Sequence, residues 1–453
     1  ADGTATQSGG RSDRLQTGAR PPDDDVCRSE PMNIAADRLT VGGAPRAAAA
    51  INNLRAIVVL MVIAVHGVLA YLASAAPRAL PFDRPPFYWR TFPIIDAHRF
   101  IGFDIFCAWA DVFLMPLFFL VSGFFVWQSL ERRGALSFVR RRALRLAPPF
   151  LLGVALIIPF AIYPAYAERT AHPGIVDYWR HLLGLPFWPD GPMWFLWVLL
   201  IFDVATAGFF RLFPRGREIA IRLSSYARRN PIRYLAGFFA ASALAYIPLG
   251  TAFGPMRWFQ YGPFSFQLNF IALYAVYFAA GVVIGALGLE RGVTSAAFAR
   301  RWKRWAVAAG ALFAAWLLVS AKTFTNPAAS TGWMLADAVA LVPACFASCI
   351  GVLLLTIHFG RVRTRALQSL QVSAFGMYWV HYPFVVWLQF ALLGTNWPAV
   401  AKGLTVIVAA AGLSWATAVA LRRLPVVSSV LGAGLRAPTP PPTAVWPALP
   451  LTD

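Results

Sequence analysis

The sequence predicts an all-α integral membrane protein with about ten transmembrane helices and both termini in the cytosol. Two observations of composition lead to this class. Of the 453 residues, 58% are hydrophobic and 13% are charged, whereas soluble domains average roughly 45–50% apolar and 25% charged residues. The apolar segments reach about 20 residues, which is the length of a helix that crosses a bilayer. A third observation, the distribution of basic residues, sets the orientation.

Ten apolar spans follow one another along the chain. They cover residues 50–72, 104–130, 148–167, 192–212, 233–252, 267–288, 304–321, 333–358, 373–393 and 399–420. With the N-terminus in the cytosol, the cytosolic loops carry 24 Lys and Arg residues and the opposite loops carry eight. The positive-inside rule therefore predicts that both termini are cytosolic.

The spans form one predicted membrane domain, residues 47–425, between two tails. Residues 1–46 are polar and lack periodicity, which is typical of a disordered cytosolic tail. Residues 426–453 form a second cytosolic tail, which is rich in proline. The net charge of +20 falls in short clusters between spans, so it indicates membrane topology rather than nucleic-acid binding.

Two predicted outer loops, residues 73–103 and 167–191, combine aromatic with polar residues. They contain "RPPFYWRTFP" and "YWRHLLGLPFWPDGPMW". Such loops could bind a polar ring such as a sugar, or could lie in the aromatic belt at the membrane surface. The sequence supports both interpretations equally.

Arg55 and His66 stand in the first span, "LRAIVVLMVIAVHGVLAYLASAA". They are 11 residues apart, about three helical turns, so both side chains lie on one helix face about 16 Å apart. Arg55 could be a flanking residue that reaches the aqueous boundary, and His66 could be a packed, hydrogen-bonded histidine. An ionisable group at such depth is nonetheless a candidate functional residue.

A run of arginines, "FVRRRALRLAPPF", precedes the third span on the predicted cytosolic side. Arg142 and Arg145 are three residues apart, so both guanidinium groups could reach one anion. The alternative is that the run serves only the positive-inside rule, which requires charge but no particular spacing.

Four motifs in order resemble the acyltransferase-3 family of integral membrane O-acyltransferases. They are "LRAIVVLMVIAVH", "MPLFFLVSGFFVWQSLERRGALSFVRRRALRLAPPF", "GPMWFLWVLLIFD" and "MYWVHYPFVVW". The second is also similar, more weakly, to the branch of the periplasmic glucan succinyltransferase. The resemblance extends over residues 51–420.

The resemblance implies a bacterial inner-membrane enzyme that transfers an acyl group, acetyl or succinyl, from acyl-CoA to a hydroxyl. The acceptor would be an extracytoplasmic glycan or a lipid-linked saccharide. In this family the histidine of the first motif, here His66, is the catalytic residue. Arg55, Arg142 and Arg145 correspond to the arginines expected to bind the acyl-CoA co-substrate. No metal is expected.

The sequence departs from the family pattern at one acidic position. Many relatives have an acid in a W-x-L-x-x-E pattern, but here Trp194 and Leu196 are followed by Leu199. Asp111 and Asp203 are therefore the candidate carboxylates that could replace it. Together with Trp194, Asp111 is predicted to bind substrate or to support the site.

His381, in "YWVHYPF", is the second histidine within a span. Counted from residue 373, it lies about 12 Å into its helix, which is close to the depth of His66. Pro383 disrupts the local backbone hydrogen bonds and could leave a carbonyl free to line a cavity. We expect His381 and His66 to line one cavity from opposite helices; the alternative is a histidine bonded to a neighbouring helix.

The chemistry of acyl-CoA fits this arrangement. Arginines at the cytosolic surface suit its phosphates, and its extended arm is comparable in length to the distance between Arg55 and His66. A neutral imidazole could then act as a general base on a sugar hydroxyl. A covalent acyl-histidine is the alternative mechanism.

Two other functions compete with acyl transfer. Intramembrane charges could line the path of a transporter or flippase, or the protein could be a sensor or scaffold without chemistry. The expected partners are acyl-CoA on the cytosolic side, a glycan or lipid-linked acceptor, and the lipid bilayer, with no nucleic acid. No particular oligomeric state is predicted.

Overall fold

The apolar segments form helices because a backbone in hydrocarbon must satisfy its own polar groups, which a helix does internally. The structure, a computed structural model, describes residues 46–255, 257–286, 288–325, 330–360 and 364–424. The predicted disordered and Pro-rich tails therefore lie almost wholly outside the described residues.

The described residues form fifteen α-helices and one two-stranded hairpin. The helices are α1 (Arg46–Val68), α2 (Ile101–Gly123), α3 (Val126–Arg133), α4 (Ala135–Leu152), α5 (Ile158–Ala167), α6 (Ile175–Leu183), α7 (Trp194–Leu212), α8 (Pro214–Arg229), α9 (Pro231–Phe253), α10 (Ile271–Ala286), α11 (Ala296–Ala299), α12 (Trp302–Thr325), α13 (Thr331–Phe359), α14 (Arg365–Leu392) and α15 (Ala399–Leu421). The antiparallel strands are β1 (Trp258–Tyr261) and β2 (Phe264–Gln267).

All ten predicted spans are helical, which confirms the predicted all-α class. Within the described residues, eight segments are long and apolar enough to cross a membrane. They are Ala49–Tyr71, Ile101–Arg133, Ala135–Ala167, Gly191–Leu212, Pro231–Phe253, Trp302–Thr323, Thr331–Phe359 and Ala399–Leu421. The other two predicted spans are α10, an apolar helix of 16 residues, and α14, which has 28 residues but more polar ones.

The predicted start of the ninth span, residue 373, was wrong by eight residues. Helix α14 begins at Arg365, and the hydroxyl oxygen of Thr364 caps it by accepting a hydrogen bond from the Leu367 amide at 3.1 Å. The first two turns are polar, so hydropathy located the apolar part of the helix rather than its N-terminus. His381 consequently lies 16 residues, about 24 Å, from the start of the helix.

Helix α1 has a central position, since it packs against α2, α13, α14 and α15. Helices α2 and α10 also pack together and approach closely at glycines. A Cβ atom at Gly281 would collide with the carbonyl oxygen of Leu120, and one at Gly285 with that of Phe124. This close packing holds α2 beside α10, and α2 also contacts α1.

One turn of π-helix, Gly153–Ile157, joins α4 to α5 in a single long segment. Two tryptophan indoles donate hydrogen bonds to backbone carbonyls at this irregular region. Trp188 bonds the Val154 carbonyl at 2.9 Å, and Trp379 of α14 bonds the Pro149 carbonyl at 2.7 Å. The second bond fixes α14 against α4 at a residue two positions before His381.

The chain forms ordered loops at the end of the bundle where α1 ends. The sequence predicts this end to be extracytoplasmic, and we call it the outer end. The Asp96 amide bonds the Ala70 carbonyl at 3.0 Å. The Asp96 carboxylate forms an ion pair of 2.7 Å with Lys402 of α15, and both side chains are almost completely buried. This pair fastens the loop to α15, because separating it would leave a buried charge without a partner.

Candidate active site

His66 occupies the last turn of α1. Its Nδ1 atom lies 2.9 Å from the carbonyl oxygen of Val62, one turn earlier in the same helix. The side chain is partly exposed. The opposite ring nitrogen, Nε2, forms no hydrogen bond with any residue in the described part of the chain.

His381 faces His66 from α14. The ring centroids are 5.2 Å apart, and His381 Nε2 lies 3.4 Å from His66 Nδ1. The sequence predicted that the two histidines line one site from opposite helices, and a separation above about 15 Å, ten helical rises, would have excluded it. The two rings are in contact, so the structure brings them together.

Hydrogen bonds to backbone carbonyls determine the tautomers of both rings. A carbonyl oxygen only accepts, so the ring nitrogen facing it carries the proton. His381 Nδ1 lies 2.6 Å from the Tyr378 carbonyl, which leaves its Nε2 as an acceptor facing His66. His66 Nδ1 faces the Val62 carbonyl and His381 Nε2, so it is the donor. His66 Nε2 is therefore the unprotonated nitrogen.

Gln389 fixes the end of α1 that carries His66. Its amide nitrogen donates hydrogen bonds of 2.8 Å to the His66 carbonyl and 3.1 Å to the Gly67 carbonyl. These carbonyls belong to the last turn of the helix, which has no backbone partners of its own. Gln389 thus joins the ends of α1 and α14 beside the two histidines.

Tyr378 and Tyr382 complete the surroundings of the histidine pair. The Tyr378 hydroxyl donates a hydrogen bond to the Pro192 carbonyl. Tyr382 packs edge-on against His66 with centroids 5.5 Å apart. Both tyrosines belong to α14, so the helix that carries His381 also provides aromatic walls for His66 and contacts the start of α7.

Arg55, Arg142 and Arg145 form a positively charged group three turns before His66, near the middle of α1. The charges of Arg142 and Arg145 both act on Arg55, and the Arg55 guanidinium lies over the Phe125 ring at 4.9 Å. The Arg145 guanidinium lies over Phe375 at 5.6 Å. The three arginines proposed to bind one ligand are therefore neighbours, although they come from two helices.

Asp203 is the carboxylate of this arginine group. Its Oδ2 lies 3.2 Å from Arg142 Nε, and the carboxylate is completely buried. One carboxylate among three arginines leaves the group with a net positive charge. Asp203 thus pairs with an arginine, and no hydrogen bond or ion pair joins it to His66 within the described residues.

The comparison with known families matches residues 48–421 to a family model described as an acyltransferase domain. The chain belongs to the acyltransferase-3 family. No curated protein and no solved structure matches it. The family match contains every residue described above, and together with the eight membrane-spanning helices it makes this protein a multi-pass membrane acyltransferase.

Asp111 of the acyltransferase, like Asp203, has no contact with His66. Asp111 lies in the middle of α2, is exposed, and forms no hydrogen bond or ion pair within the described residues. Its charge acts on Tyr274 of α10. Trp194 stacks on the same tyrosine with centroids 5.8 Å apart. Asp111 and Trp194 are therefore neighbours around Tyr274, and neither contacts the histidine pair.

The sequence analysis missed Asp190 of the acyltransferase, which is buried beside the start of α7. Its Oδ2 accepts a hydrogen bond of 2.6 Å from the Ser265 hydroxyl. Burial raises the pKa of Asp190 to about 7, although the Ser265 bond and the charge of Arg90 favour the ionised form. The next residue, Gly191, packs against Tyr382. No sequence signal marked this aspartate, because "PDGP" is typical of a turn.

Gln389 was also missed, although a signal existed. A glutamine within an apolar span is uncommon and normally has a partner.

The two aromatic outer loops of the acyltransferase meet at a cavity of about 320 Å³, whose lining includes Phe82, Tyr166 and His181. The structure therefore joins these loops, which the sequence treated separately.

Proposed function

We propose that this acyltransferase moves an acetyl or succinyl group from acyl-CoA to a hydroxyl of an extracytoplasmic glycan or lipid-linked saccharide, at the bacterial inner membrane. One observation carries the proposal. A single helix, α1, presents Arg55 within a group of three arginines and, 11 residues later, His66 with an unprotonated Nε2. The two positions are about 16 Å apart along the helix.

The arginine group binds the phosphates of acyl-CoA in this proposal. Guanidinium groups suit phosphate because they donate pairs of charge-assisted hydrogen bonds. The net positive charge of the group and the exposure of Arg145 favour an anion from the cytosol. The arm of the coenzyme then runs along α1 and brings the thioester to His66.

His66 acts as the general base. Its Nε2 takes the proton of the acceptor hydroxyl while the oxygen attacks the thioester carbonyl. A carbon–oxygen bond forms and the carbon–sulfur bond breaks. The proton on Nε2 passes to the departing thiolate, which returns His66 to its starting state. The reaction needs no electron donor and no further reactant.

His381 positions His66 and takes the place of a carboxylate. Its Nε2 accepts from His66 Nδ1, which keeps the Nδ1 proton away from the reacting side of the ring. The Val62 and Tyr378 carbonyls hold the two rings in this arrangement. A neutral imidazole supports the positive His66 ring less strongly than a carboxylate would.

The test is mass spectrometry of envelope glycans from cells with the wild-type protein, with His66→Gln, and without the protein. Acyl groups carrying an isotopic label from acyl-CoA should appear on a glycan only in the wild-type cells. The mass increase identifies the acyl group. Labelled glycan in the His66→Gln cells would contradict the base assignment, and its absence from wild-type cells would favour the transporter.

A covalent acyl-histidine is distinguished by a separate measurement. Purified protein mixed with labelled acyl-CoA without acceptor would retain the label on His66 if the intermediate forms. The general-base mechanism predicts that no label stays with the protein after rapid quenching.

A further inference from the structure

A second group of polar side chains lies between α2, α9, α10 and α13, apart from the histidine pair. Asp111 lies close enough to the hydroxyls of Tyr274 and Tyr246 for its charge to interact electrostatically with both. The charge of Asp337 also acts on Tyr246. The group therefore consists of two aspartates and two tyrosines, gathered from four helices, and the proposed acyl-transfer step uses none of them.

One buried oxygen in this group has no hydrogen-bond donor among the described residues. Asn269 is completely buried and donates to the Tyr246 hydroxyl at 3.3 Å, but its own Oδ1 is unpaired. The Asp337 carboxylate differs, because the Ser320 hydroxyl and the Trp316 indole are its donors. An unsatisfied buried acceptor destabilises a fold. The Asn269 oxygen therefore fits a ligand that brings its own donor.

Asp111 adds a second acceptor group without a donor. A carboxylate in the middle of an apolar helix is costly and usually functional. This one is exposed and forms no hydrogen bond or ion pair in the part of the chain that the structure describes. Its two oxygens can accept several hydrogen bonds. Asn269 and Asp111 together favour a ligand with several hydroxyls.

Trp194 provides an aromatic wall for the same group. Its indole stacks on Tyr274 with an angle of 26° between the ring planes, and it is partly exposed. A pyranose ring has apolar C–H faces that pack on aromatic rings and hydroxyls around its edge that donate hydrogen bonds. An aromatic wall beside carboxylate and amide oxygens therefore matches a sugar.

The group lies toward the histidine pair. Phe118 stands seven residues after Asp111, two helical turns along the same face of α2. Phe118 packs against Tyr378 with centroids 6.3 Å apart, and Tyr378 neighbours His381 at 5.8 Å. The face of α2 that carries Asp111 therefore continues to the wall of the active centre.

We propose that Asp111, Asn269, Tyr246, Tyr274 and Trp194 form the acceptor subsite, which binds a saccharide unit while its reacting hydroxyl extends to His66. This inference rests on the proposed function, since it names where the acceptor binds. The carboxylate and amide oxygens accept from sugar hydroxyls, and Trp194 covers one face of the ring.

The test compares acceptor saturation with donor binding. Purified protein in lipid nanodiscs receives labelled acyl-CoA and graded amounts of the glycan fraction extracted from the source cells. Asp111→Asn, Trp194→Leu and Tyr274→Phe should each raise the half-saturating glycan concentration, the first two by about tenfold. Binding of acyl-CoA should stay within about twofold of wild type. Asp177→Asn and Trp333→Leu, both at exposed positions, are the controls.

The possible results separate the two proposals. Unchanged glycan saturation in all three variants would overturn the subsite and leave the proposed function intact. Weaker acyl-CoA binding with unchanged glycan saturation would assign the group to the donor and overturn the subsite as well. If wild-type protein acylates no glycan in the fraction, the proposed function fails and the subsite fails with it. Tyr274→Phe keeps the stacked ring, so it remains informative if a larger change disturbs folding.

Discussion

Two parts of α1 carry different kinds of charge: the arginine end, around Arg55 near the middle of the helix, and the histidine end, around His66 in its last turn. At one end, Arg55 shares its surroundings with Arg142 and Arg145, and Asp203 balances a single positive charge. At the other end, His66 and His381 are hydrogen-bonded to carbonyls and to each other. Arginine stays charged at all ordinary pH values, whereas histidine gains or loses a proton easily.

The difference indicates a division of labour along one helix. The arginine end has permanent positive charge in excess, which suits binding an anion. At the histidine end, both Nδ1 atoms and His381 Nε2 have hydrogen-bond partners and His66 Nε2 has none among the described residues, which suits moving one proton. Changes at the arginine end should therefore affect donor affinity, and changes at the histidine end should affect the rate of the chemical step.

The strongest way to break this comparison is to replace His66. His66→Ala removes the proposed base and should lower the turnover rate by roughly 10²–10⁴-fold. Acyl-CoA affinity should remain close to that of wild type, because the arginine end is intact. The measurement is release of free CoA thiol in the presence of acceptor, together with binding of labelled acyl-CoA to the purified protein.

His172→Ala is the matched control for this prediction, because His172 is an exposed histidine in an outer loop. It should leave both quantities unchanged. A His66→Ala protein that turns over normally, or that loses acyl-CoA binding instead of turnover, would contradict the division along α1.

At the arginine end, Arg145→Ala should weaken acyl-CoA binding by roughly 10–100-fold, the effect of losing a charged hydrogen bond. Turnover at saturating acyl-CoA should change little. Arg142 requires a paired substitution, because Asp203 is completely buried and would lose its ion partner. Arg142→Ala combined with Asp203→Asn avoids leaving that charge unpaired. Equilibrium binding of labelled acyl-CoA checks both variants.

Arg140 and Arg141 provide the controls, since they belong to the same basic run and are exposed. Their replacement by alanine preserves the positive charge needed for topology elsewhere in the run. If these two variants weaken donor binding as much as Arg145→Ala does, the arginines act through general charge rather than as a defined site.

The fold could be predicted because hydropathy follows directly from the bilayer. Runs of about 20 apolar residues identify helices without reference to their neighbours. The beginning of α14 was missed because its first two turns are polar and are held by a Thr364 cap. The π-helical turn at Gly153–Ile157 was missed because it depends on bonds from Trp188 and Trp379, which lie far away in sequence.

The active centre could be predicted only where one helix sets the geometry. Arg55 and His66 share a face of α1 by spacing alone, whereas the depth of His381 was counted from residue 373, eight residues after the true start of α14. The contact between the two rings, the Gln389 bonds and the position of Asp190 depend on how helices pack. Pairing of Asp203 with Arg142 is likewise a contact between α7 and α4, which no local pattern contains.

Replacement of His381 sharpens the comparison at the histidine end. His381→Ala removes the acceptor for His66 Nδ1 and should lower turnover by roughly tenfold, less than the loss of His66 itself. His381→Gln restores a carbonyl acceptor and should recover part of the rate. The rate of CoA release as a function of pH distinguishes positioning from packing. A lost side chain that merely packs would lower the rate equally at all pH values and would not be rescued by glutamine.

The smallest expected effect concerns Asp190, a buried carboxyl group at the outer end. Burial holds the pKa of this carboxyl at about 7, well above its ordinary value of 3.8. The folded state therefore binds more protons than the unfolded state between these values, so stability falls as pH rises from about 4 to about 7 and is then constant.

Asp190→Asn keeps an oxygen that can accept from Ser265 but cannot ionise. The melting temperature in detergent should fall by a few degrees between pH 5 and pH 8 for wild type and should change less for Asp190→Asn. Asp177→Asn, at an exposed position, should retain the wild-type slope. Equal slopes in all three proteins would show that Asp190 does not titrate in this range.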